Sequence, residues 1–317
     1  QRRAHAQTGQ NPALQTFLFC LARLTQFPVQ LVFCYDGNQR PDVKRGHKVS
    51  SREHWMVKPT QRILDVFNTA MDYGVSSLPS LQEKLRLNFA LMNRAGVIDA
   101  VLTDDSDTFV FGAKTVLRNS TLSMDTIKMY TAGAIQERID RCLTGDAFIT
   151  MAICCCGDYD KSGLLGCRCE TALGLVRCMD NSMLRSAICS NNQGWSLKEW
   201  RNIAQCHLLS DPTGKMGRSH PALARSLPES FPSADTINSY AHPAVTSLAE
   251  VPKLQLPAPP DLAQLACVIQ QFLGWDSKKL LSAFHTTIWP VVILHELLED
   301  LANNSPRSNE VRDCFIF

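Results

Sequence analysis

Twice within its first 107 residues the chain passes from a helical apolar pattern through an apolar run of strand length and out into acidic residues. That repeated order limits the fold more than any other feature, because helix followed by strand, repeated, implies an α/β sheet that is largely parallel. In the first pass Asn11-Pro12 reads as an N-cap with proline at the first helical position. Leu14, Phe17, Leu18, Leu21 and Leu24 then recur at helical spacing, predicting a helix to about Gln26. The run Val29 to Tyr35 follows as a buried strand that stops at Asp36-Gly37. In the second pass a helix from about Leu81 to Ala95 stops at Gly96 and hands over to Val97-Ile98-Asp99-Ala100-Val101-Leu102, which ends in Thr103-Asp104-Asp105-Ser106-Asp107.

Between the two passes lie a basic stretch, with Arg40, Lys44, Arg45, Lys48 and Arg52, and a helix predicted from about Thr60 to Asp72. Thr108 to Phe111 and Thr115 to Leu117 read as short strands. Helical patterns then dominate from about Thr131 to His207, interrupted by the glycine-bearing loop Gly157 to Gly166. Ser210 to Pro260 is rich in proline and predicted mainly irregular, and helices are expected over Asp261 to Leu273 and Val292 to Ala302.

With 45% hydrophobic and 20% charged residues, wholesale disorder is disfavoured, and no segment approaches the roughly 20 apolar residues of a membrane span. Net charge is +2, so a nucleic-acid reading must rest on local basic clusters. The 13 cysteines lie inside apolar runs without framework spacing and read as reduced thiols. Cys167-Arg168-Cys169 is too closely spaced for a usual zinc knuckle.

In open parallel sheets, sites form at the carboxyl ends of strands, where Asp36 stands after one run and Asp104, Asp105 and Asp107 after the other. These ends are expected to lie close together. Gly157-Asp158-Tyr159-Asp160 forms a third acidic cluster. Each piece has a plainer reading, as a turn, a solvated loop or a helix-to-turn transition. Taken together, hard oxygen ligands from several loops suit Mg²⁺ and phosphodiester hydrolysis.

Val32-Phe33-Cys34-Tyr35-Asp36-Gly37, then Asn93 through Asp107, then Gly157-Asp158-Tyr159-Asp160 with Gly163-Leu164-Leu165-Gly166-Cys167 resemble, in that order, the flap-endonuclease/XPG-type structure-specific nucleases. The branch of fungal Holliday-junction resolvase-like proteins is also similar over Ser230 to Leu298. The resemblance implies a PIN-like α/β domain over 1–145, a helix-three-turn-helix DNA-binding region over 146–208, and a C-terminal part over 209–317. It also implies two Mg²⁺ ions, no small-molecule cofactor, branched or flap DNA as partner, no membrane, and a nuclear location. Carried over by position, Asp36, Asp105, Asp107 and Asp158 match metal-binding carboxylates, and Lys44 matches a basic residue at the scissile phosphate. Asp36, Asp105 and Lys44 are thus the catalytic set. Arg40, Lys44, Arg45, Lys48, Gly163, Gly166 and Arg168 form the expected DNA-binding set.

Three departures from the family pattern stand out. Its first metal Asp belongs on a strand that should precede Gln1. Arg168 and Glu170 stand where the family has glycine and usually a small or basic residue. Finally, the pattern Ala-Pro-Gly-Glu-Ala-Glu-Ala-Glu-Leu should occupy positions 81–89, yet Lys84 and Arg86 stand at the two catalytic Glu positions. Written as GCT CCA GGA GAA GCT GAG GCT GAA CTT and read from its second base, that pattern gives Leu-Gln-Glu-Lys-Leu-Arg-Leu-Asn, identical to Leu81 through Asn88. The segment therefore reads as an out-of-frame translation; the rival account is a pair of selected substitutions in a DNA-binding pseudo-nuclease. On either account, weak metal binding is expected.

Overall fold

The computed structural model describes residues 11–27, 29, 31–33, 43–44, 47–48, 57–66, 89–119, 126–155, 157, 160, 163–190, 192–242 and 261–304. In chain order come α1 (Pro12–Leu24), β1 (Val43–Lys44), β2 (His47–Lys48), α2 (Val57–Val66), α3 (89–95), β3 (Val101–Leu102) and α4 (Asp107–Val110). There follow β4 (Thr115–Arg118), β5 (Lys128–Thr131), α5 (Ala132–Arg138), α6 (Gly145–Cys155), α7 (Cys169–Cys178), α8 (Met183–Cys189) and α9 (Gln193–Ser210). The chain closes with α10 (Pro221–Arg225), α11 (Ala234–Ala241), α12 (Leu262–Leu273), α13 (Ser277–Ala283), a π-helical turn (Phe284–Ile288) and α14 (Trp289–Asn304). The fold is α/β, organised as two units, Gln1–Leu85 with Ala249–Phe317, and Arg86–Leu248.

The core of the first unit gathers Leu14, Leu18 and Leu21 of α1, Ile63 and Leu64 of α2, and Leu265, Ile269 and Leu273 of α12. Asn11 does not cap α1 with its side chain. Its amide instead donates to the Phe272 carbonyl in the last turn of α12, where intrahelical donors run out. Asp261 and Gly274 bound α12 as the sequence implies, with the Asp261 carboxylate accepting from the Gln264 N–H and Gly274 at φ 62°. Val29, Leu31, Val32 and Phe33, expected in a buried strand, are half-buried and lie in no strand among the described residues. Leu31 and Phe33 take their burial from side chains of this core, Phe33 meeting Phe17 edge-on at 6.2 Å. Within the basic stretch, β1 and β2 pair antiparallel, with Lys44 opposite His47, an element that charge alone did not reveal.

In the second unit β3 and β4 are parallel, Val101 opposite Val116, while β4 and β5 are antiparallel, Thr115 opposite Thr131. The described sheet is therefore mixed, where a largely parallel one was expected. Only Val101 and Leu102 of the run Val97 to Leu102 pair as strand. The N–H groups of Val97 and Ile98 are spent on the Met92 carbonyl, and the Ile98 and Asp99 carbonyls on the Asn93 side chain. Thr108 to Phe111, expected as strand, falls in α4 and the residue that ends it. Asp105 and Asp107 favour a helix start there, and Gly112 at φ 90° stops it after one turn. The proline-rich stretch is less irregular than expected, since Pro221 opens α10 and the Ser233 hydroxyl caps α11.

Asn93 joins these pieces. It is 3% exposed, its amide N–H groups donate to the carbonyls of Ile98 (3.0 Å) and Asp99 (2.7 Å), and its oxygen accepts from the N–H groups of Lys114 (2.7 Å) and Thr115 (2.9 Å). Asn93→Ala strips four backbone groups of their partner, each costing about 1–3 kcal/mol if left unsatisfied. Urea unfolding should show a loss of at least about 3 kcal/mol, and Asn93→Asp should be no better, because its second oxygen would face two carbonyls.

Candidate active site and nucleic-acid interface

The parallel pair delivers its carboxyl ends to one loop. The ladder continues one residue past β3, the Thr103 N–H donating to the Leu117 carbonyl at 2.9 Å, and the acidic run begins there. Its three aspartates differ in their surroundings. Asp104 is exposed and turned to β4: its carboxylate accepts from the Asn119 N–H at 2.9 Å and lies 3.9 Å from the Arg118 guanidinium. Arg118 also donates to the Asp104 carbonyl at 2.6 Å. Asn119 holds φ 89°, a left-handed conformation that this carboxylate supports. Asp104 is thus committed to closing the sheet.

Asp105 and Asp107 are half-buried. The Asp105 N–H donates to Thr103 Oγ1 at 3.1 Å, and Asp105 Oδ1 accepts from the Asp107 N–H at 3.0 Å. Their oxygens are hard donors suited to Mg²⁺, and the loop fixes their spacing through its own backbone. Among the described residues no group of three or more His, Cys, Asp or Glu side chains gathers to hold a metal. Asp105 and Asp107 stand as a pair, one short of such a group. Asp36, Asp158, Arg40, Arg45, Lys84 and Arg86 lie outside the described residues, as do the side chains of Lys44 and Lys48.

The second feature is the connection between α6 and α7. The Gly157 N–H donates to the Asp160 carbonyl at 3.0 Å, the Gly163 N–H to Asp160 Oδ1 at 3.1 Å, and the Leu164 N–H back to the Cys154 carbonyl at 3.1 Å. Leu164 is buried at 3% while Leu165 stands 86% exposed, so the turn pins one leucine and presents the next. Gly163 (φ 51°) and Gly166 (φ 86°) take backbone conformations that favour glycine. Arg168 and Glu170 are exposed at the start of α7, so a cation and an anion stand together there.

Tyr240 connects the two features, and nothing in a stretch read as irregular announced it. It is 2% exposed and stacks on Phe111, just behind the acidic loop, at 5.9 Å between centroids. Its hydroxyl occupies the space a Cβ at Gly157 would take, 2.0 Å away. Gly157, read from sequence as a loop opener, is thus required sterically. On the far side of α7, Arg177 grips Asp140 at 2.5 Å.

Residues 88–158 match the XPG I-region. Over 220 residues the chain is 28% identical to human flap endonuclease GEN homolog 1, covering 63% of this chain and 24% of that protein. Over 92 residues it is 34% identical to a rice flap endonuclease GEN-like 1, covering 29% of this chain and 14% of that protein. The chain thus spans about a quarter or less of these relatives' length. A solved structure of the eukaryotic junction-resolving enzyme GEN-1 superposes with a TM-score of 0.68 at 23% identity, over 96% of this chain and 70% of the other. The catalytic core of Rad2 superposes with a TM-score of 0.61 at 19% identity, over 89% and 87% of the two chains. The fold is that of the XPG/PIN-like nucleases. Residues 88–158 thus carry an XPG I-region, and the chain is similar in sequence to flap endonucleases.

Two outcomes follow from this geometry. Gly157→Ala should destabilise the second unit by about 1–3 kcal/mol through overpacking, and Tyr240→Phe in the same chain should recover part of it, a non-additivity visible in a double-mutant cycle. The Cys142 N–H and then the Arg177 guanidinium hold the Asp140 carboxyl below the usual carboxylate range. A lowered folded-state pKa adds stability that is present above the unfolded value, near 4, and lost as pH falls through the folded one. Asp140→Asn should therefore cost roughly 1 kcal/mol at neutral pH, because Arg177 is partly solvated, and nothing at the acid end of a pH series of urea melts.

Proposed function

We propose that this chain is a structure-specific DNA endonuclease homologue that acts on branched or flap DNA in repair and recombination, located in the nucleus, with its catalytic centre impaired. The observation that carries this reading is the presence, within one unit, of two half-buried carboxylates at the end of a parallel strand pair and a glycine-bearing turn between α6 and α7. Solved relatives support it. GEN1, described as a Holliday junction-resolving enzyme, is recorded with product DNA, Mg²⁺ and Mn²⁺ ions.

Asp105 and Asp107, with Asp36 and Asp158, would hold two Mg²⁺ ions. When bound, such a pair supplies Lewis acidity for an in-line displacement at phosphorus. The chain's own groups do the rest: Lys44 neutralises charge developing on the scissile phosphate, the β1–β2 region with Arg40, Arg45 and Lys48 lines the backbone, and Gly163, Gly166 and Arg168 hold a phosphate downstream. Lys84 and Arg86 act against this. A unit charge 4 Å from another is worth roughly 4 kcal/mol at an effective dielectric of 20, and two family carboxylates have become cations. That reversal also supports the second reading, a DNA-binding module without catalysis.

Fluorescence anisotropy on a four-way junction and a linear duplex across a salt series separates these readings from an ordinary α/β interaction protein. Binding should fall steeply with salt, and Arg168→Ala should flatten the log–log slope by about 0.9, one phosphate contact. A slope unchanged by this substitution removes Arg168 from the interface. The chain as written should cut weakly or not at all with Mg²⁺, whereas restoring Ala-Pro-Gly-Glu-Ala-Glu-Ala-Glu-Leu at 81–89 should raise Mg²⁺-dependent cutting. Robust cutting by the unrepaired chain, abolished by Asp105→Ala, would overturn the proposed impairment.

A further inference from the structure

We propose that Cys189, His242 and Asn238 form a thiol-modification site that takes small disulfides, such as oxidised glutathione, by thiol–disulfide exchange. The three side chains stand in a row where the ends of α8 and α11 meet. Cys189 Sγ lies 3.9 Å from His242 Nε2, and His242 Nδ1 lies 3.3 Å from Asn238 Oδ1. All three residues are exposed, so the sulfur is open to a reagent from solution. Both helices belong to the second unit.

The order of the groups sets their chemistry. An amide oxygen can only accept, so Nδ1 of a neutral His242 carries the ring proton and Nε2 presents its lone pair to the Cys189 thiol. A nucleophile with a base in reach, and that base oriented by a third group, is the arrangement that activates a thiol. Local structure holds it in place. Asn238 stands four residues before His242, on the same face of α11, and the His242 N–H donates to the Asn238 carbonyl at 2.8 Å. Arg185, one turn before Cys189, donates to the Ala241 carbonyl at 3.0 Å and to Asp146 at 2.7 Å, which fastens the end of α11 to α8. Leu184 and Ala187 of α8 and Ile237 and Tyr240 of α11 are buried in one core.

In the exchange the Cys189 proton passes to His242 Nε2, the Cys189 sulfur attacks one sulfur of the disulfide, and the S–S bond breaks. The departing thiolate takes up the proton from the imidazolium, while Asn238 holds the ring through both transfers. One protein thiol and one small disulfide thus give one mixed disulfide and one free thiol. Cys169, Cys206 and Cys267 are also exposed, yet among the described residues none of them hydrogen-bonds to an imidazole. Cys189 is distinguished by its partner and not by its exposure.

The test treats the full reduced chain with oxidised glutathione, quenches it with N-ethylmaleimide at early times and locates the adduct by non-reducing peptide mass spectrometry. Cys189 should be modified about tenfold faster than Cys206 or Cys267, and dithiothreitol should release the adduct. His242→Ala should bring the Cys189 rate down to that of Cys206, and free imidazole should recover part of it at Cys189. Asn238→Ala should slow Cys189 as well, and Asn238→Asp, which keeps an acceptor for Nδ1, should restore it. Cys206 and Cys267 rates unchanged across these variants report an intact fold. A Cys189 rate no greater than that of Cys206, or one that His242→Ala leaves untouched, would overturn the proposal. The readout needs no DNA, so its outcome is independent of the endonuclease reading.

Discussion

A single buried amide sets the frame of the second unit. A parallel strand pair cannot close on itself through a tight turn, so the route into β3 and the start of β4 must be fixed by something other than a hairpin. Asn93 does this with all four of its hydrogen-bonding positions, two on the turn between α3 and β3 and two on Lys114 and Thr115, where the chain enters β4. An apolar side chain could fill the same volume but would leave four backbone groups dry, which explains a polar residue at 3% exposure in a core otherwise made of Val101, Val116, Ile149 and Leu175. With the strand ends fixed, the loop after β3 has little freedom, and the acidic residues inherit their positions from the amide.

That inheritance separates aspartates that the sequence presents as equals. Asp104 closes the sheet through Arg118 and the Asn119 N–H, while Asp105 and Asp107 start α4 and remain half-buried. Composition could not make the division, because it depends on which carboxylate the end of β4 can reach. Behind them Phe111, Tyr240 and the missing side chain of Gly157 pass the position of the acidic loop to the turn after α6. Spacing between the two features is thus set by a packed aromatic and a steric limit, neither of which depends on ionic strength.

The order of helices and strands was legible because it depends on local pattern and end signals, as at Asp261 and Gly274 around α12 or Gly96 after α3. Errors came where a local signal had a tertiary competitor. Thr108 to Phe111 carries strand-forming residues, yet Asp105 and Asp107 upstream favour a helical turn. Val97 to Asp99 looks like strand, but its backbone groups were claimed by Met92 and Asn93. The prolines at 221 and 232 suggested irregularity, while one opens α10 and the other immediately precedes the cap of α11. Of the candidate site, Asp105 and Asp107 were visible as residue types at a strand end, and Gly163, Gly166 and Arg168 only through the family resemblance, whereas Asn93 and Tyr240 carry no local signature.

The contrast between positioning and charge bears on the proposed loss of catalysis. Asn93, Tyr240 and Gly157 act by hydrogen bonds and packing within the second unit, and none of them depends on a bound ion. Charge reversal at positions 84 and 86 would remove attraction for a divalent ion without touching those contacts. The acidic loop and the glycine turn are therefore held in place by contacts that need no metal ion. In the proposed function, phosphate recognition by Arg168 would draw on a different set of atoms from metal binding by Asp105 and Asp107. Under the proposed function, binding and cutting would for this reason be separable properties.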